Sequence, residues 1–159
     1  MPLPTDPRLD TQTPLRPADA VAAIITVEES YLLQLRDDKI GIFFPAHWGC
    51  FGGAIDSSES SEAALEREVH EELGIAITPD RYRPFASFDF ALNIEKLASF
   101  KRDFYEIDLT RQEMDGLRLT EGAAMKLFPP ADILTGAMQM TPYDCFALWF
   151  HINRARVQG

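Results

Sequence analysis

The chain has 159 residues, 46% of them hydrophobic, which suits one domain with a full core and excludes a disordered chain. A formal net charge of -10 excludes a nucleic-acid polymer as the main partner, because phosphate backbones need Lys and Arg to displace their counterions. A small phosphorylated ligand stays open, since bound metal inverts the local field.

Residues 1–17 contain Pro2, Pro4, Pro7, Pro14 and Pro17 and read as an N-terminal arm ahead of a domain spanning 18–159. Val21 to Val27 is β-branched and apolar, Glu28-Glu29-Ser30 is turn-like, and Tyr31 to Leu35 is apolar again. This pattern predicts a hairpin with a buried first strand. Ile40 to Phe44 is a short apolar run stopped by Pro45, and His47 to Gly53 reads as a strand running into a tight turn. A helix is predicted over Ser61 to Leu73, with Gly74 as its stop. Phe85 to Leu92 and Phe104 to Leu109 have strand composition, and residues 93–103 between them, with Lys96, Lys101 and Arg102, read as a basic loop. Pro129-Pro130 precedes a short helix near Ala131 to Leu134. Thr141 is a suitable N-cap for a closing apolar helix, with Pro142 at its first position and Asp144 in its first turn.

The Ser61–Leu73 helix carries the chemical signal. At about 100° per residue, Leu65, Val69 and Leu73 fall on one stripe that should face a sheet. Glu68, Glu71 and Glu72 fall on an adjacent arc and can approach one point at the edge of the core. Three anions near a helix C-terminus oppose the macrodipole, and Glu68 and Glu72 are a like-charge pair at i,i+4. Arg67 can offset this by pairing with Glu71 or by reaching outward to Glu59. An isolated cluster of this kind is usually a solvated face. The Gly52-Gly53 turn, with Glu59 and Arg67 at fixed offsets, argues for a site instead, because a local rule broken without structural gain often marks function.

Those offsets resemble the Nudix box: Gly53, five residues, Glu59, seven residues, Arg67-Glu68-Val69, one residue, Glu71-Glu72, one residue, Gly74-Ile75. Every position of the box is matched. Many members of the Nudix hydrolases have Pro before the paired glycines, where this chain has Phe51. The resemblance implies an α/β fold, an α/β/α sandwich with a mixed β-sheet. It also implies hydrolysis of a nucleoside diphosphate linked to another moiety, with Mg²⁺ or Mn²⁺. Carried over by position, Glu68, Glu71 and Glu72 would hold the metal with a backbone carbonyl of Gly52 or Gly53. Glu59 and Arg67 would brace the helix and orient Glu68 or Glu72. Some relatives draw a further ligand or base from a loop beyond the box, and Glu121 is the best match.

Carboxylates suit hard cations such as Mg²⁺ and Mn²⁺, and such ions polarise a phosphorus and lower the pKa of bound water. A neighbouring carboxylate can then take the proton, and Glu68 and Glu72 both qualify. Arg36, Lys101 and Arg102 are candidates to grip a phosphate, each weighed against a surface role. Trp48, Phe88 and Phe90 are weighed as stacking residues against core packing. His47, His70 and His151 are assigned no role. Candidate substrates are nucleotide sugars, nucleoside triphosphates and dinucleotides; the alternative is a nucleotide-sensing module without turnover. RNA decapping is disfavoured by the acidic charge. Cys50 and Cys145 show neither zinc spacing nor a disulfide framework, and no apolar run is long enough to cross a bilayer. A cytoplasmic setting with no membrane partner is therefore expected. A homodimer is expected from the resemblance and the proline-rich arm.

Overall fold

The computed structural model describes residues 17–91 and 98–157. The proposed arm, Pro17 apart, lies outside the described residues, as do Leu92 and Lys96. One mixed sheet contains β1 (Ala20–Val27), β2 (Ser30–Leu35), β3 (Trp48–Gly49), β4 (Tyr82–Phe90), β5 (Phe100–Asp108) and β6 (Ala124–Phe128). Its order is β3-β2-β1-β5-β4, with β6 paired to β2. The β1–β5 pair is parallel and the other named pairs are antiparallel. Helices α1 (Ser61–Leu73), α2 (Arg111–Asp115), α3 (Pro130–Thr135) and α4 (Pro142–Val157) complete the fold.

Two-residue alternation along β1 explains the layering. Val21, Ala23, Ile25 and Val27 face one core with Ala64, Leu65, Val69 and Leu73 of α1. Ala22 and Ile24 face a second core with Ile133 of α3 and Ala147 and Leu148 of α4. A strand covered on both faces must be apolar along its buried length, as β1 is from Ala20 to Ile25, and the result is the expected α/β/α arrangement. No helix among the described residues is long and apolar enough to cross a membrane.

The predicted hairpin forms, with Glu28 and Glu29 at positive φ in its turn (47° and 66°). The α1 boundaries agree as well: the Ser60 hydroxyl accepts from the Ala63 N–H, and Gly74 closes the helix at φ 70°. Other expectations need correction. The basic loop is strand from Phe100 onward, with Lys101 and Arg102 inside β5. Ile40–Phe44 forms turns and bends, and the strand at 47–53 shortens to Trp48–Gly49. Two elements went unread, β6 and α2; α2 is set by a capping box between Thr110 and Glu113. The Thr141 hydroxyl donates to Asp144 Oδ2 (2.8 Å) at the start of α4. His151 is buried with partners, Tyr31 Oη at 2.8 Å and Glu106 Oε1 at 2.6 Å, and helps dock α4 onto the sheet.

The segment that leads from β3 to α1 determines the site. Phe51 and Gly53 carbonyls accept from the Ala23 and Val21 N–H groups (2.8 and 2.9 Å), so residues 51–54 run beside β1. Gly52 lies between them at φ 130°, and a Cβ there would meet the Val21 carbonyl oxygen at 2.2 Å. Neither the dihedral nor the space admits a side chain. Gly52→Ala is therefore expected to cost about 3 kcal/mol or more in chemical denaturation, since backbone must move on both strands.

Candidate active site

Helix α1 packs its apolar stripe against β1, which turns its acidic arc toward the Gly52-Gly53 turn. Glu72 is the best anchored of these side chains, 4% exposed. Its Oε2 accepts from the Gly52 N–H (2.7 Å) and its Oε1 from Gln34 Nε2 (3.1 Å). Gln34, buried on β2, also donates to the Cys50 carbonyl (3.2 Å). Burial pushes the Glu72 carboxyl up to about 7, against the pull of those two hydrogen bonds, and the charges of Glu68 and Glu121 add to the rise.

Glu68 lies over Gly53, where a Cβ would come within 2.6 Å of its Oε1. Burial raises the Glu68 carboxyl above its ordinary value, against the lowering by Arg67. Arg67 is the hub of the helix face. It reaches Glu59 (2.5 and 3.2 Å), Glu68 Oε1 (2.7 Å), Glu71 Oε2 (3.3 Å) and the Ala54 carbonyl (3.0 Å). Both pairings weighed for Arg67 occur at once. One guanidinium thus fixes the loop before α1, the helix and the Glu68 carboxylate together.

Glu71 is exposed, but the Arg67 Nη1 that binds Glu68 also binds it (3.3 Å), and its charge helps raise the Glu68 carboxyl. Among the described residues no group of three or more His, Cys, Asp or Glu side chains is gathered closely enough to hold a metal ion as the side chains stand. Instead, two raised carboxylates, Glu68 and Glu72, share their field with Glu121 from the loop before β6. That loop is tied to the end of α1 by Arg118 N–H to the Leu73 carbonyl and Thr120 N–H to the Glu72 carbonyl, both 3.0 Å. These side chains offer only oxygen, and the part of their mutual repulsion that Arg67 does not offset suits a hard divalent cation.

Beyond the turn opens a cavity of about 670 Å³, lined by Gly52, Gly53, Arg36, Arg102 and the rings of Phe43, Phe44, Phe90, Phe100 and Tyr143. Phe90 and Phe100 stack with centroids 5.1 Å apart. Of the aromatic candidates only Phe90 lines this cavity; Trp48 packs on Phe128, and Phe88 on Phe104 and Phe146. Arg36 lines it too, its Nε donating to the Phe43 carbonyl (2.9 Å). Lys101 and Arg102 point to opposite faces of β5. Lys101 pairs with Asp103 (3.3 Å) and does not line the cavity, whereas Arg102 does, its Nε held by Asp144 Oδ1 (3.1 Å). The sequence reading missed Gln34, Asp144 and Tyr143. A polar Gln inside an apolar strand is the one sequence signal that could have exposed the first.

A family model described as NUDIX domain matches residues 16–146. The nucleoside triphosphatase NudI of Escherichia coli O139:H28 is 35% identical over 75 residues, 47% of this chain and 52% of that protein. The chain thus spans about half the length of the curated relatives it matches. Among solved structures, a MutT NUDIX hydrolase from Burkholderia pseudomallei has a TM-score of 0.67 at 25% identity, covering 84% of this chain and 96% of that one. The ORF135 protein of E. coli has a TM-score of 0.66 at 26% identity, covering 89% and 94%.

Two outcomes follow from the geometry. Gly53→Ala is expected to unfold close to the parent, because the atoms nearest its Cβ are the far end of the Glu68 side chain rather than backbone, yet to displace that carboxylate. A thermal melt and a titration with Mn²⁺ should show retained stability and weakened metal affinity. The second outcome concerns pH. The folded-state value of Glu72 is raised, so its contribution to stability is present below about 4.5 and lost as pH rises through about 7. In a chelator, the melting temperature of the parent minus that of Glu72→Gln should fall from pH 5 to pH 8, by an amount on the order of a few kcal/mol in stability.

Proposed function

Because the chain belongs to the NUDIX domain family, we propose that it hydrolyses a phosphoanhydride bond of a nucleoside triphosphate with Mg²⁺ or Mn²⁺. The observation that carries this reading is the pairing of two raised carboxylates, Glu68 and Glu72, with an aromatic cavity across one glycine turn. The name of the NudI relatives favours a triphosphate over a nucleotide sugar or a dinucleotide.

Glu68, Glu72 and Glu121 would hold the metal, with Glu71 joining from the exposed side and the Gly52 carbonyl from the turn. Bound metal would neutralise the diphosphate charge and polarise the attacked phosphorus. Glu72, with an oxygen on the Gly52 N–H and the other on Gln34, is positioned as a fixed ligand. Glu68 would act as the base: Arg67 orients one of its oxygens, and burial raises its carboxyl above the ordinary value. It would accept the proton of the water that attacks phosphorus as the anhydride P–O bond breaks, with pyrophosphate leaving and nucleoside monophosphate remaining. Arg67 and Glu59 position Glu68 rather than touch substrate.

Nucleoside triphosphates incubated with Mg²⁺ or Mn²⁺ and scored for monophosphate and pyrophosphate test the reading. Glu68→Gln and Glu72→Gln should each lower kcat by about 10²-fold or more, with melting temperatures that show a folded protein. Parent-like rates in both variants would end the assignment of these side chains. Tight nucleotide binding by the parent with no turnover would establish the sensing module instead.

A further inference from the structure

We infer that Gln34 is a positioning residue for the metal: its side chain sets Glu72 and the loop that carries Glu121 at one spacing, without cancelling the charge of either. This rests on the reading that both carboxylates take part in holding a divalent cation.

Alternation along β2 puts Gln34 on the same face as Leu32, toward α1, where it is 4% exposed. Its partners in the sheet are Gly49 of β3 and Met125 of β6, so it stands between those two strands. An amide buried there costs free energy unless its polar ends are answered. The Nε2 group faces two acceptors, Glu72 Oε1 (3.1 Å) and the Cys50 carbonyl (3.2 Å), and has one hydrogen for each. Those acceptors also fix which end of the amide is nitrogen, since an oxygen in its place would meet two oxygens.

The other end of the amide faces the loop before β6. A Cβ on Gly122 would lie 3.0 Å from Gln34 Oε1 and 3.0 Å from the Leu35 carbonyl oxygen, and Gly122 is at φ 86°. A side chain at 122 would press on Gln34 as well as strain the backbone. Glu121, one residue earlier, is held between two ties: the Thr120 N–H to the Glu72 carbonyl (3.0 Å) and the Ala123 N–H to the Leu35 carbonyl (2.8 Å). One amide thereby meets a carboxylate of the cluster at one end and the glycine next to another at its other end.

A neutral donor is what the chemistry needs at this position. A Lys or Arg would hold Glu72 as firmly but offset its charge, and the attraction for a cation would fall with it. An amide N–H fixes the carboxylate and leaves the charge in place. A carboxylate oxygen has a further lone pair, so Glu72 Oε1 can keep Gln34 when a cation arrives.

Mg²⁺ titration of the full chain, followed by the NMR signals of the Gln34 side-chain amide assigned through its own backbone, tests this without nucleotide or turnover. Those signals should persist and shift along the same curve as the Gly52 and Gly53 backbone amides. Mn²⁺ affinity, read by electron paramagnetic resonance, should fall at least about tenfold in Gln34→Leu, the low end of what losing the outer partner of a ligand costs. Leu33→Val, the preceding position on β2 but packed in the second core, should melt lower and keep the parent's Mn²⁺ affinity. If Gln34→Leu fails to fold, the NMR titration of the parent decides. A stationary Gln34 amide while the glycine amides shift, parent-like Mn²⁺ affinity in a folded Gln34→Leu, an equal loss in Leu33→Val, or a parent that binds neither cation overturns the inference. Metal-dependent hydrolysis with an unmoved Gln34 amide would sink it and leave the hydrolase reading standing. The expected shifts and affinities with no hydrolysis of any nucleoside triphosphate would support it and sink the hydrolase reading.

Discussion

The Glu72 carboxylate, accepting from the Gly52 N–H on one oxygen and from Gln34 on the other, is the contact on which the site depends. It joins three elements of different origin: helix α1, strand β2 and the segment that passes beside β1. Each brings a polar group that would be costly to bury alone, and each is satisfied by the others. Withdraw the carboxylate and a buried amide and a backbone N–H lose partners together. The same contact holds the glycine turn against the helix, so the distance between the carboxylates and the cavity is set by a hydrogen bond rather than by loose packing.

The sheet supplies the rest through alternation. Odd-numbered positions of β1 seat α1 and even-numbered positions seat α4, so the α1 carboxylates and the Arg102–Asp144 pair approach one turn from opposite layers. On β5 the same rule sends Asp103 to α1, where the Ser61 hydroxyl donates to it (2.5 Å), and Arg102 to α4. Two neighbouring residues thus serve two faces. The 51–54 segment lies between the two layers, where a Cβ on Gly52 would meet the β1 backbone and one on Gly53 would meet the Glu68 carboxylate.

What could be read in the sequence was what local rules determine. Helix α1 was legible because Ser60, the apolar stripe and Gly74 all act within the segment itself, and the placing of Glu68 and Glu72 beside that stripe followed from the same geometry. The hairpin was legible because the turn residues sit between two apolar runs. Strand β6 was not, since its half-exposed positions become strand only by pairing with β2. Arg102 was misread as a loop cation because nothing local to residues 100–103 announces Asp144, which lies 42 positions away. Of the box residues, Arg67 proved richer than spacing alone implies, since its contacts to Glu59 and Ala54 depend on how the loop folds back.

The acidic end of α1 looks unfavourable until its carbonyls are followed. The Gly74 N–H takes the His70 carbonyl, the Thr120 hydroxyl donates to Glu71, the Thr120 N–H to Glu72 and the Arg118 N–H to Leu73. The terminal carbonyls that give the helix its negative end are thereby engaged by the loop that carries Glu121. What remains uncompensated is the repulsion among the side chains, Glu68 against Glu72 and Glu121 against both. The fold has satisfied the backbone and left the carboxylates short of positive charge. Arg67 answers only one side of the cluster, reaching Glu68 and Glu71 but not Glu72. The deficit is therefore local, lies beside the glycine turn, and has the sign that a divalent cation, rather than a further hydrogen bond, can relieve.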